Sequence, residues 1–369
     1  MNNFSRRYIK YVLYLVVIIF TFSLAQWMGN GKFIKTGIAE AKITKATIGL
    51  NKANPKIKEV MAIQNSHTPD LMALPEVVGT ATGLTDAGGI AILVFTENRV
   101  EAGVIPRSLE GIPVVVKVTG KILAFKKPSW AGPGGGSTSN NIDPTGRFNR
   151  PVPIGVSTGN EGECSAGTIG ARVKKGSEVY ALSNNHVYAL ENNAEPDSEV
   201  LQPGLYDTNC IYDSNNHLGQ LNEYNEIKFG GTNTIDAAIA LTTTGVLGNA
   251  TPSDGYGKPN SVTTSAEIDQ NVQKYGRTTS LTKGIVTAIN ATVNVGYSSG
   301  TALFTDQIVV TGNKGPFIKA GDSGSLLVTD DSNCKPVGLL FAGNSSGKTA
   351  IANPIDDVLN YFGVTIDGK

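Results

Sequence analysis

The 369-residue chain has 31 Lys and Arg against 31 Asp and Glu, so it carries no net charge and has no electrostatic pull towards nucleic acid. Charged residues make up only 17%, below the usual ~25%, while 43 glycines exceed the usual ~7%; this composition points to a turn-rich β protein. Three Cys and three His are too few for a zinc or disulfide scaffold, and nothing calls for a metal or other cofactor.

Residues 1–25 read as an export segment. Arg6, Arg7 and Lys10 precede an uncharged apolar run over 11–25, and Ser23-Leu24-Ala25 fits a small-x-small cleavage site before Gln26. The uncharged stretch reaches Gly31, 21 residues from Tyr11, so the segment is equally long enough to stay as an anchor. In both cases the positive flank stays inside and the remainder crosses. The expected location is therefore extracytoplasmic, secreted or periplasmic, with membrane contact only through that N-terminal segment.

Residues 26–54 read as a stalk, and 55–125 as a small α+β module. Ile57, Val60, Met61 and Gln64 predict a short helix ending near His67-Thr68-Pro69. Two strands, 77–85 and 89–95, flank the turn Asp86-Ala87-Gly88, and a third covers 113–118. His67 is expected to cap or line a loop. Residues 126–152 are dense in Pro, Gly, Ser and Asn, a flexible linker in which Trp130 is an exposed aromatic.

Residues 153–366 form a third region, a series of short strands with turn signals between them. Strands are predicted at 166–173, 178–182, 235–242, 274–275, 282–289, 292–297, 307–311, 325–328 and 336–341, with a closing helix over 353–362. Strands at this spacing without long helices argue for a sandwich or barrels, and two halves near 153–255 and 265–366 fit two barrels.

The sharpest motif is Ala320-Gly321-Asp322-Ser323-Gly324-Ser325. Glycines on both sides of a serine let backbone N–H groups converge, as an oxyanion hole requires. Gly-x-Ser-x-Gly is not matched, because Ser325 stands where its last glycine belongs. A serine nucleophile needs a base, and only His67, His186 and His217 exist. His67 lies in the module and His217 in a polar loop; His186 follows a predicted strand and is the natural base. Asp236, a lone acid among Ile235, Ala237 and Ala238, needs a buried partner and suits the acid that orients the imidazole.

The order His186, Asp236, Ser323 resembles that of the trypsin-like (chymotrypsin-fold) serine peptidases, bacterial streptogrisin type, over about 153–366. Cys164-Ser165-Ala166-Gly167, Asn185-His186, Thr234-Ile235-Asp236-Ala237-Ala238, Gly276-Arg277-Thr278-Thr279 and Gly321-Asp322-Ser323-Gly324 carry the resemblance together. It implies two antiparallel six-stranded β-barrels with the site between them and a protein or peptide substrate. It also implies an oxyanion hole from the N–H groups of Gly321 and Ser323, and Gly343 in a segment that pairs with extended substrate. Phe317 would fall near the floor of the specificity pocket, where no acid could pair a basic side chain. The family's cysteine after the histidine is replaced by Val187; Cys164 and Cys210, 22 residues before and 24 after His186, are then the expected bridge, leaving Cys334 alone. Arg277 is expected to neutralise Asp322, since the linker offers no activating N-terminus. A serine esterase and a catalytically silent adaptor on the same fold are the rival readings, and oligomeric state is not legible.

Overall fold

The computed structural model describes residues 49–124 and 142–369. The export segment, most of the stalk and the linker stretch with Trp130 lie outside the described residues.

Helix α1, Pro55–Met72, begins where the Asn54 side chain accepts from the N–H groups of Lys56 and Ile57. It runs past Pro69, one turn further than the pattern predicts. Leu71 is buried under that last turn and the Thr68 hydroxyl bonds the Gln64 carbonyl (2.7 Å), which holds the turn in spite of the proline. His67 lies on this helix and meets Glu110 (2.9 Å) at the surface. Strands β1 (Val77–Leu84), β2 (Ile90–Thr96), β3 (Ser108–Leu109), β4 (Ile112–Val118) and β5 (Ile122–Ala124) follow.

The next group is β6 (Ser157–Asn160), β7 (Gly167–Thr168), β8 (Ala171–Lys175), β9 (Glu178–Ser183), β10 (Glu199–Leu201), β11 (His217–Tyr224), β12 (Thr232–Asn233) and β13 (Ala238–Thr242). Antiparallel pairing runs β8–β9–β13–β11–β10–β6–β7. Only Ile169 and Gly170 separate β7 from β8, so the two count as one strand, and with Ile169 bonded back to Val156 the seven segments close a six-stranded barrel on themselves. A turn of helix, α2 (Asn185–Tyr188), leaves the end of β9.

The last group is β14 (Asn271–Gly276), β15 (Ser280–Gly296), β16 (Thr301–Gly312), β17 (Leu326–Thr329), β18 (Pro336–Asn344), β19 (Thr349–Pro354), helix α3 (Ile355–Phe362) and β20 (Thr365–Ile366). Strands β14–β15–β16–β19–β18–β17 return to β14, every pairing antiparallel, which closes a second six-stranded barrel. The protein is therefore mainly β, with two barrels. The two strands predicted over 282–297 are one, β15, bulged where Asn290 takes a φ of 54° and the registers with β1 and β16 slip.

Val173, Leu182 and Ile239 of the first barrel, Leu326, Val328 and Leu339 of the second, and Val358 and Phe362 of α3 share one core cluster. Apolar burial thus welds the barrels along a seam, with α3 packed into it. The α+β segment does not stand apart either: β1 pairs with β15, and β5 lies between β15 and β18, so it extends the second barrel's sheet.

Cys164 and Cys210 are joined by a disulfide across 46 residues, and Cys334 is free and buried. Closing a loop of that length restricts the unfolded chain by about 4 kcal/mol at most. Urea unfolding with and without reductant should show a loss of about 2–4 kcal/mol; an unchanged midpoint would mean the bridge adds nothing to stability.

Candidate active site

His186 sits in α2, immediately after β9, and Asp236 two residues before β13, the strand paired with β9. Neighbouring strands therefore deliver both residues to one end of the first barrel. The sequence pattern puts Asp236 inside a strand, but its backbone is instead held by side chains: its N–H donates to Asn353 Oδ1 (3.1 Å), and its carbonyl accepts from Asn184 Nδ2 (2.7 Å). Asn353 in turn bonds Gln307 (2.7 Å), and Gln307 the Thr234 carbonyl (2.8 Å). Leaving the ladder frees Asp236 to turn its carboxylate into the seam between the barrels.

That carboxylate is wholly buried, as is His186. Oδ2 meets His186 Nδ1 at 2.6 Å, and Oδ1 accepts the His186 backbone N–H (3.2 Å). A third donor comes from Tyr297, which follows β15: its hydroxyl reaches the same Oδ2 at 2.9 Å. The Tyr297 ring also stands edge-on to the imidazole, centroids 5.9 Å apart. Burial and the carboxylates of Asp236 and Glu191 push the Tyr297 hydroxyl well above its ordinary value, so it remains a donor. Glu191 ties down the adjacent turn by accepting from Ser298 Oγ (2.6 Å) and the Ser299 N–H (2.7 Å). His186 Nε2, the far side of the ring, is buried and has no hydrogen-bond partner among the described residues.

Ser323 enters from the second barrel, on the turn before β17. Its flanking glycines, Gly321 and Gly324, have φ of 97° and 94°. A Cβ on Gly324 would stand 2.2 Å from both Ser183 Oγ and the Thr168 carbonyl, so side-chain-free backbone is required where the barrels touch. Thr168 is the rivet. Its N–H donates to the Ser323 carbonyl (2.8 Å), its hydroxyl to the Gly321 carbonyl (2.8 Å), and its carbonyl accepts from Ser183 Oγ (2.8 Å), three residues before His186. The serine turn and the histidine turn are thus fastened to one residue. Ser323 Oγ itself donates to the Phe341 carbonyl of β18 (3.2 Å).

One expected pairing is overturned. Arg277 does not meet Asp322; it is engaged by Asp207, donating through Nε (2.9 Å) and Nη2, with the Tyr206 ring 5.2 Å from the guanidinium. The partner of Asp322 is Lys274 (3.4 Å). Asp322 also accepts from the N–H groups of Thr278 (2.8 Å), Thr279 (3.1 Å) and Lys319 (2.8 Å), and from the Thr279 hydroxyl (2.7 Å). The reason is local: Lys274 and Gly276 share a face of β14, and a Cβ on Gly276 would lie 2.6 Å from Asp322 Oδ1, so the glycine opens the path from Lys274. Burial pushes the Lys274 ammonium down from its ordinary value, and Asp322 opposes that.

Phe317 is wholly buried in a core cluster with Val286, Val310, Ile318 and Leu340. The Gly343 edge of β18 is paired with Leu123 of β5. Reading the sequence alone missed Tyr297, Asp207, Lys274 and Thr168; none lies in a recognisable motif, and each acquires its role from a partner at least 48 positions away. Among the described residues no cluster of His, Cys, Asp and Glu could hold a metal ion.

The family described as the Nal1 C-terminal domain matches residues 238–355, a stretch that includes Ser323 but neither His186 nor Asp236. A comparison with curated proteins finds no match. In structure the chain is similar to bacterial chymotrypsin-fold serine proteases over about 58% of its length. A glutamic-acid-specific serine protease described as using a histidine triad in substrate binding is 23% identical, with a TM-score of 0.43, 58% of this chain and 100% of that one covered. Thermobifida fusca Protease A is 18% identical, TM-score 0.43, over 59% and 99%. Cellulomonas bogoriensis chymotrypsin is 21% identical, TM-score 0.42, over 59% and 99%. At these values the chemistry stands or falls on the side chains of this chain.

Arg277 is 2% exposed, and its removal strands the Asp207 carboxylate. Arg277→Ala should lower the unfolding free energy by about 3–5 kcal/mol in urea titration; a change within experimental scatter would show that Asp207 finds another partner.

Proposed function

We propose that this chain is an exported serine endopeptidase that hydrolyses peptide bonds through an acyl-enzyme on Ser323. One observation carries the reading: a buried imidazole, bonded by Asp236 through Nδ1 and unpartnered at Nε2 among the described residues, in the same seam as a serine between two left-handed glycines. A carboxylate on Nδ1–H fixes the tautomer that leaves Nε2 as the base. Nε2 would take the Ser323 proton as Oγ attacks the scissile carbonyl and return it to the leaving amine. Asp236, with its second donor from Tyr297, would stabilise the imidazolium. The N–H groups of Gly321 and Ser323 would receive the oxyanion. Rotation of Ser323 Oγ away from the Phe341 carbonyl begins the cycle.

The wider assignment is consistent with this. A disulfide suits the oxidising side of a membrane, which the basic and apolar N-terminal sequence also favours. Residues 153–366 would be the peptidase proper, the N-terminal segment its signal or anchor, and protein or peptide its substrate.

A fluorophosphonate probe should label the wild-type chain and leave Ser323→Ala blank. Peptide turnover in that variant should fall by about 10³-fold or more. Equal labelling of both proteins, or of neither, would sink the reading. Tyr297→Phe removes one hydroxyl from the Asp236 carboxylate at constant shape, and kcat should drop about tenfold, with KM little changed, in steady-state assays.

A further inference from the structure

The loop that leaves α2 is bent in a way that residues with a Cβ rarely accept. Leu190, Glu191 and Asn192 take positive φ in succession, 53°, 58° and 74°. Such backbone is unfavourable for anything but glycine and persists only where its surroundings enforce it. Two asparagine amides do so here. Asn185, the neighbour of His186, donates to Asn192 Oδ1 (2.7 Å) and to the Asn225 carbonyl (2.7 Å), and its Oδ1 accepts the Asn192 N–H (3.2 Å). Asn192 is tied to Ile227 as well, donating to its carbonyl (2.8 Å) and accepting its N–H (2.9 Å).

The bend delivers the Glu191 carboxylate, on a residue only 4% exposed, to the turn that joins β15 to β16. Tyr297 N–H closes that turn on the Gly300 carbonyl (2.7 Å). Besides Ser298 Oγ and the Ser299 N–H, Glu191 accepts the Ser298 N–H (3.3 Å). Tyr297 therefore stands on a hairpin of the second barrel whose tip is gripped by a side chain of the first. A ring of contacts results. It runs from His186 to Asp236, from Asp236 to Tyr297, across the hairpin tip to Glu191, and back along the bent loop to Asn185.

We propose that Glu191 is a positioning residue of the reaction: through the hairpin tip it sets the reach of the Tyr297 hydroxyl to Asp236, and so the orientation of His186. This rests on the peptidase reading above. A carboxylate suits the task because it binds the N–H and O–H donors of the tip more tightly than a neutral acceptor would. The tolerance is small. The Tyr297 hydroxyl meets Asp236 at 2.9 Å, and a tip displaced by about one ångström would carry it out of hydrogen-bond range.

The test uses the full chain as wild type, Glu191→Gln, Tyr297→Phe and the double variant, with two readouts. Glu191→Gln keeps the size of the side chain but turns an amide NH2 towards donors of the tip. The first readout is the second-order rate of labelling by a fluorophosphonate. Each single variant should slow it about tenfold, and the double variant should be no slower than Tyr297→Phe alone. The second is the far-downfield proton resonance of His186 Nδ1–H, which reports the bond to Asp236 without any reaction. Both single variants should move it in the same direction, and the double no further. Ser298→Ala, which removes one bond from the same tip, should shift both readouts in the same sense and decides the matter if Glu191→Gln does not fold. Losses that multiply in the double variant would show that Glu191 does not act through Tyr297 and overturn the proposal. So would an unchanged rate and resonance in Glu191→Gln with a lowered urea midpoint, the mark of structural support alone. A wild-type chain that takes no label counts against the peptidase reading, and the resonance then decides by itself whether Glu191 governs the Asp236–His186 pair.

Discussion

A carboxylate removed from water needs donors, and the seam of this molecule is arranged around that need. Asp236 has no solvent exposure, and His186 Nδ1, the His186 backbone and Tyr297 supply what water would have given it. An imidazole bound in this way has one orientation and one tautomer, with Nε2 as its free face. Loss of any one donor loosens the ring as well as the charge. Few interactions in the chain tie together so many distant elements: β9 brings the histidine, the residues before β13 the acid, β15 the tyrosine, and β19 the Asn353 amide.

Closure of the two barrels makes that arrangement rigid. A closed sheet has no free edge to slip, so the residues at its rim keep their register. Thr168 then couples one rim to the other, since it bonds both the serine turn and the strand end that precedes His186. The charged groups just outside the site follow the same logic. Lys274 with Asp322, and Arg277 with Asp207, are buried pairs whose members would be costly alone. They hold the turn that presents Ser323 and the loop that carries the disulfide.

What could be read from the chain was mostly local. Alternating apolar residues and turn tripeptides such as Asp86-Ala87-Gly88 mark hairpins, and those hairpins are present. A serine between glycines, and a solitary acid beside Ile235, announce themselves because each violates what an ordinary strand prefers. Partner choice was not legible. Arg277 and Lys274 are three positions apart and both cationic; which one meets Asp322 depends on the bare Gly276 between them and on Asp207 arriving from another loop. Tyr297 reads as one more aromatic at a strand end. β5 is only three residues long, too short for any periodicity, and its importance lies wholly in which edge it joins.

The central claim is that Asp236 steers His186 so that Nε2 serves Ser323. A crystal structure of the chain after reaction with a peptidyl phosphonate tests this directly. The account predicts phosphorus on Ser323 Oγ, His186 Nε2 within hydrogen-bond distance of the adduct, Nδ1 still on Asp236, and the phosphonyl oxygen on the N–H groups of Gly321 and Ser323. Phosphorus on another residue, or an imidazole turned away from the adduct with its bond to Asp236 broken, would contradict it.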